Sequence, residues 1–305
     1  MTTQTSDAHA GAPAPAPARP RVKKPRKPLR LKRMFRPERL VLYALAAVSF
    51  FILAGPLLWM LSSSLKSSDT VLANPPTALP TEWRFQNYLD VFDQVPFGTY
   101  LLNSLFVATT VTVVALLLHS MAAYSLARLH FPGRDKIFLL ILCTLMVPFT
   151  VIAVPLFIIV DWLGWVDTYQ GLIVPMIPHA FGIFLLRQFY LSVPRELEEA
   201  AILDGASLVK VYWHIILPLS RPVLAALGIF FFLANWNNFL WPLIVTQDQS
   251  LWVVQLGIQQ FRGQYASNYN LIMAASTCAA LPTLILFFVL QRRLVEGIKM
   301  TGLKG

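Results

Sequence analysis

Residues 94–127 read QVPFGTYLLNSLFVATTVTVVALLLHSMAAYSLA, thirty-four residues without an Asp, Glu, Lys or Arg. A helix needs about 20 mostly apolar residues to cross the hydrocarbon core of a bilayer, about 30 Å thick. Within lipid the backbone must satisfy its own hydrogen bonds, so a stretch of this kind is a helix. The rest of the chain agrees. Its 305 residues are 56% hydrophobic and only 13% charged, against roughly 25% charged in a soluble domain. A surface so poor in charge faces something other than water, which excludes a soluble enzyme or binding module.

Five further charge-free stretches flank this one: 40–65, 137–160, 168–186, 222–247 and 263–291. The fold class expected is therefore all-α integral membrane with six transmembrane helices. Basic residues set the orientation, because Lys and Arg accumulate on the cytosolic side. With the N-terminus inside, the cytosolic segments hold 22 of the 25 Lys and Arg, leaving Lys66, Arg84 and Arg262 outside. The expectation is N-in, C-in. Residues 1–35 read as a disordered, Ala/Pro-rich and basic cytosolic tail, and 36–305 as the membrane domain. The formal net charge of +10 is accounted for by Lys and Arg in 19–39, a juxtamembrane segment attracted to anionic membrane lipid rather than to nucleic acid. Cys143 and Cys278 both lie in spans, so no disulfide framework or metal site is expected.

The loops are unequal. Residues 66–96 form the longest outer one, with a short helix expected over Phe85–Phe92. The cytosolic loop 187–221 carries helix signals. Ser192 can cap a helix, Pro194 suits its first turn, and Glu196, Glu198 and Glu199 complement the helix dipole. Gly205 permits the backbone that ends it. Ser207 can start a second helix through His214, with Val209, Tyr212, Trp213 and Ile216 near one face and Pro218 and Pro222 as stops. A helix–turn–helix elbow at the membrane surface results. Small residues, acids and an apolar face suit it to docking a cytosolic protein.

Glu199-Ala200-Ala201, three residues, Gly205, nine residues, Ile215, one residue and Leu217-Pro218 resemble the EAA loop of ABC-importer permeases without a gap. Asn87-Tyr88, Asn103-Ser104, Ala122-Ala123-Tyr124 with Ala127-Arg128, Pro148, Pro155-Leu156, Trp236-Asn237 and Lys304-Gly305 extend the likeness over about 40–305. The pattern is similar to the smaller maltose-type permease of the carbohydrate-uptake subfamily. The resemblance implies a type I ABC importer permease fold in a bacterial cytoplasmic membrane. It implies a second permease subunit, two copies of an ABC ATPase that use ATP and Mg, and an external substrate-binding protein. It also makes Glu199, Ala200, Ala201, Asp204, Gly205, Ile215, Leu217 and Pro218 the residues that couple to the ATPase, with Glu199 pairing to a basic residue there. This chain has no GxxxxGK[ST] phosphate loop, as a separate permease requires, and no cofactor of its own is expected.

Charges are missing from the span interiors, where an ion-coupled carrier normally keeps an acid or base. His119 and His179 can be read as proton relays or as interhelical hydrogen-bonding groups. Asn235, Asn237 and Asn238, near the middle of the fifth span, can exchange hydrogen bonds with sugar hydroxyls or tie helices together. Trp236 and Trp241 can stack on sugar rings or fill packing gaps. Pro148, Pro155, Pro175 and Pro178 should kink spans three and four. No HExxH, no GxSxG and no paired intramembrane carboxylates appear, so a non-catalytic role is expected. A stand-alone secondary carrier and a membrane scaffold are the competing readings; neither explains the twenty-residue match. The missing intramembrane Lys and Arg lean towards an uncharged solute.

Overall fold

The computed structural model describes residues 37–262 and 268–301, with side chains over 41–262 and 268–289. The expected tail at 1–35 and the terminal Lys304-Gly305 lie outside the described residues. Every regular element among those described is helical. In chain order, α1 is Pro37–Ser64, α2 Gln86–Gln94, α3 Phe97–Arg128 and α4 Arg134–Thr144. Then follow α5 (Phe149–Trp162), α6 (Tyr169–Ile173), α7 (Ala180–Ser192), α8 (Glu196–Leu203) and α9 (Leu208–Val211). Last come α10 (Arg221–Trp236), α11 (Leu240–Val245), α12 (Val254–Gln259) and α13 (Tyr269–Thr301).

Three helices are long and apolar enough to cross a membrane by themselves: α1, α3 and α13. Three helix pairs meet the same test only when taken together, giving up to six spans. α4 and α5 meet at 103°, α6 with its 3₁₀ extension to Met176 meets α7 at 42°, and Leu208–Leu219 meets α10 at 73°. The kinks expected in spans three and four are full breaks between separate helices. Proline is the physical reason at two breaks, since it lacks an N–H and clashes with the carbonyl four residues back. Pro148 is the residue before α5; Pro175 lies in the 3₁₀ extension of α6 and Pro178 within the break before α7. Pro155 sits inside an unbroken α5.

The fifth charge-free stretch is also not one helix. α10 ends at Trp236, Asn237 caps it, and α11 starts afresh at Leu240. The asparagines therefore stand at a helix break rather than mid-helix.

The chain divides into two units, residues 1–54 and 55–305. In the first, the described side chains from Val41 to Leu53 are exposed around the whole helix, an apolar cylinder of the kind a bilayer solvates. The second is organised on α3, which packs against α7 and α10, while α10 packs on α13. At 1.5 Å per residue the 32 residues of α3 span about 48 Å. It runs through three buried clusters: Phe97 and Tyr100 lie with Trp236, Val111 with Trp241, and Ala123 and Tyr124 with Tyr190, Tyr212 and Phe231. Small residues permit the close approach. A Cβ on Gly182 of α7 would stand 2.5 Å from His119 Nδ1 and 2.7 Å from Phe231 Cζ.

At the Phe97 end, polar side chains pin the connections. Asn87 Nδ2 donates to the carbonyls of Ser64 and Lys66, each at 2.8 Å, and Asn270 Nδ2 donates to Asn87 Oδ1. The expected short helix there exists as α2, and its Asn87 and Val91 are buried. Asn103 Nδ2 donates to the carbonyls of Ser250 (2.8 Å) and Trp252 (2.9 Å), and its Oδ1 accepts from the Tyr169 hydroxyl.

Candidate functional site

The elbow forms, with two local corrections. α8 begins after Arg195, not at a Ser192 cap. Ser192 is the last residue of α7, and its hydroxyl donates to the Phe189 carbonyl instead. The three glutamates of the first turn lie where the N-terminal dipole favours them. At the other end Gly205 has φ +79°, and the closing hydrogen bonds are Ala206 N to Ala201 O and Gly205 N to Ile202 O, both 2.9 Å. That pairing is a Schellman turn, which needs a left-handed residue at this position. Ser207 caps the second helix, accepting from Lys210 N at 3.3 Å.

The second helix does not stop at Pro218. It runs Leu208–Leu219 through a π turn at Tyr212–Ile216. The widened turn accommodates the Pro218 ring, which in a regular α-helix would meet the His214 carbonyl. Its expected single apolar face splits in two: Tyr212 and Ile216 are buried, whereas Val209 and Trp213 are exposed.

The motif residues divide the same way. Glu199, Ala200, Asp204 and Gly205 are exposed; Ala201, Ile215 and Leu217 are half-buried against the Tyr190 and Tyr212 cluster, and Pro218 is half-buried. Leu203, 88% exposed, and Ile202 extend the open surface. Among the described residues no ion pair engages Glu199.

Its neighbour behaves in the opposite way, and sequence reasoning missed it. Glu198 is the buried residue of α8. Its Oε1 stands 2.7 Å from Nε of Arg128, the last residue of α3, with side chains 10% and 5% exposed. The N–H is not aligned on that oxygen, so this is a close ion pair rather than a linear hydrogen bond. Tyr124 donates its hydroxyl to Glu198 Oε2 at 3.3 Å, and Arg128 Nη2 donates to the Val193 carbonyl between α7 and α8. One turn deeper, Ser120 Oγ lies 2.6 Å from the Tyr190 hydroxyl and 2.9 Å from that of Tyr212. Both helices of the elbow are thus tied to α3. The only local signal was an acid one residue before the motif glutamate, with nothing nearby to say which way it points.

Between α3 and the bends at 144–149 and 176–180 lies a mostly apolar cleft of about 660 Å³, lined by Leu118, Ile141, Phe149, Ile152, Met176 and His179 among others. His119 Nε2 accepts from the backbone N–H of His179 at 3.0 Å, an interhelical bond across the break before α7. The asparagine run adjoins this region. Asn238 Nδ2 lies 3.5 Å from Met176 Sδ and its Oδ1 accepts from Trp241 N. Asn235 donates to the Phe231 carbonyl; Asn237 donates to that of Leu233 and accepts from Gln255. Trp236 is 2% exposed, stacked on Phe232 with Nε1 donating to the Ala279 carbonyl. Trp241 is also buried and donates to the Gly171 carbonyl. Both indoles fill the core of this chain.

Residues 119–299 match the family described as binding-protein-dependent transport system inner membrane component. The chain is 36% identical over 260 residues to the diacetylchitobiose uptake system permease protein of Streptomyces coelicolor, covering 84% of this chain and 86% of that one. It is 35% identical over 258 residues to the arabinooligosaccharides transport system permease protein of Halalkalibacterium halodurans, covering 84% and 92%. Its fold matches a chain in the crystal structure of a bacterial ABC transporter involved in the import of the acidic polysaccharide alginate. That match has a TM-score of 0.74 at 22% identity and covers 87% of this chain and 98% of that one.

Proposed function

Since this chain belongs to the family of binding-protein-dependent transport system inner membrane components, we propose that it forms half of the translocation pathway of an ATP-driven importer for a sugar or related solute. It is a multi-pass component of a bacterial cytoplasmic membrane and a transport subunit, not an enzyme. Six spans with both termini inside account for the 22 basic residues on one side and make each bent helix pair one crossing. A second permease completes the pathway, two ATPase copies supply ATP and Mg chemistry, and an external binding protein delivers the solute. The oligosaccharides named for the two relatives support a carbohydrate cargo, and the uncharged span interiors fit a neutral one.

One observation carries the coupling role. Glu199 and Leu203 are exposed on a helix whose other face is locked by Glu198. A rigid turn that presents a free carboxylate beside bare apolar surface suits a cleft in the ATPase, with Ala200 allowing close approach. ATP binding would close the ATPase dimer and move the elbow with its attached spans. The asparagines at the α10–α11 break and the adjoining cleft are the wall offered to the solute. Amides at a break exchange hydrogen bonds with passing hydroxyls without trapping them.

The test is purification of the chain in mild detergent from its native membrane. Recovery of an ATPase and a second permease is expected, and Glu199→Ala should lower uptake and ATPase coupling while the chain still inserts. Recovery of the chain alone, with transport driven by an ion gradient, would refute the reading.

A further inference from the structure

The elbow is covalently continuous with α7 and α10, yet its polar attachments lead to α3. Glu198 is the buried side chain of α8, and burying a carboxylate is costly unless a charge answers it. Arg128 answers it, and the same guanidinium holds the Val193 carbonyl, so one side chain grips both ends of the 193–198 connection. Tyr124 supplies the second carboxylate oxygen with a hydroxyl, and its ring packs edge-on to Tyr190 and tilted against Tyr212. Ser120 gathers the hydroxyls of those two tyrosines. A well-packed apolar residue at 198 would stabilise as well or better. What the ion pair adds is a fixed direction for α8.

Adjacent residues on a helix point about 100° apart, so Glu198 and Glu199 divide the labour. One faces outward and the other is clamped inward. From Arg128, α3 leads without a break to Leu118, His119 and Ala122, which line the cleft.

We propose that Glu198 and Arg128 form a positioning pair that transmits elbow movement into α3, so that the stroke reaches the pathway through a helix not joined to the elbow in sequence. The proposal rests on the coupling reading above.

The experiment uses the whole importer, reconstituted in proteoliposomes with its ATPase and solute-loaded binding protein. Solute uptake is measured beside ATP hydrolysis for Glu198→Gln, Arg128→Gln and the doubly neutral chain. Each variant is expected to retain the ATPase. Stimulation of hydrolysis by loaded binding protein, and solute moved per ATP, should each fall about tenfold, within the range of ordinary coupling energies. The doubly neutral chain leaves no lone buried charge, so it separates positioning from mere tolerance of charge. It should stay uncoupled while its thermal stability recovers. Restoration of coupling in that chain, wild-type coupling in both single variants, or loss of the ATPase from Glu198→Gln would each overturn the proposal. A wild-type chain that carries no ATPase would instead refute the coupling reading itself, and the pair's role with it.

Discussion

Substitution of Gly205 sets up a ranking that can be worked out beforehand. Its φ of +79° lies in the left-handed region, and a Cβ built there meets nothing within 4 Å. Within this chain the added Cβ meets no clash, so its cost is conformational. An L-residue pays about 1–2 kcal/mol for that backbone; Asn pays least, and a β-branched residue pays most. The alternative is to unwind the turn, giving up the two 2.9 Å bonds at Ala206 N and Gly205 N, worth about 0.5–1.5 kcal/mol each. The two costs are similar in size. Gly205→Ala thus moves the balance between the turn and its unwound form by a factor of roughly 5–30, and Gly205→Val moves it further. Uptake in membrane vesicles, scaled to the amount of inserted chain, should fall in the order Gly, Asn, Ala, Val. An order that follows side-chain volume, with Ala above Asn, or a Val variant equal to wild type, would refute the reasoning.

Gly182→Ala places a methyl 2.5 Å from His119 Nδ1 and 2.7 Å from Phe231 Cζ, so α7 must retreat from α3 at a cost of about 1–3 kcal/mol. Thermal aggregation in detergent should begin at a lower temperature, and an unchanged onset would count against the tight contact. Asn103→Leu strands the Ser250 and Trp252 carbonyls and the Tyr169 hydroxyl, at about 1–3 kcal/mol for each group that stays buried. Limited proteolysis should then cut within 248–253 while the spans stay intact; resistance equal to wild type would show that other contacts hold that segment.

Local chemistry was legible where one or two residues decide the conformation. Gly205 ends α8 and Ser207 caps α9 because a left-handed turn and an Ncap hydroxyl each depend on a single side chain. Ser192 misled because the same hydroxyl serves a helix end as readily as a helix start, and α7 claims it. Charge-free windows located apolar stretches but not helices. Residues 137–160 form one window yet two helices at 103°, since hydropathy is blind to the backbone direction at Pro148. The asparagine run was visible, though its place at a helix break was not, because no proline or glycine announces the end of α10 at Trp236. The pairing of Glu198 with Arg128 was out of reach altogether. Seventy positions separate the two, and only the packing of α7 on α3 brings them together.

The reach of those contacts has a bearing on how the protein is made. Tyr124 and Glu198 are 74 residues apart, and Ser120 and Tyr212 are 92 apart. At a synthesis rate of about 5–20 residues per second, α3 waits roughly 4–18 s after leaving the ribosome before its partners emerge. In that interval Arg128 has no Glu198 to answer it, and its long side chain can reach toward lipid headgroups at the membrane surface. The nascent chain therefore carries Arg128 without its carboxylate through that interval and gains the buried pair only once the elbow has been made.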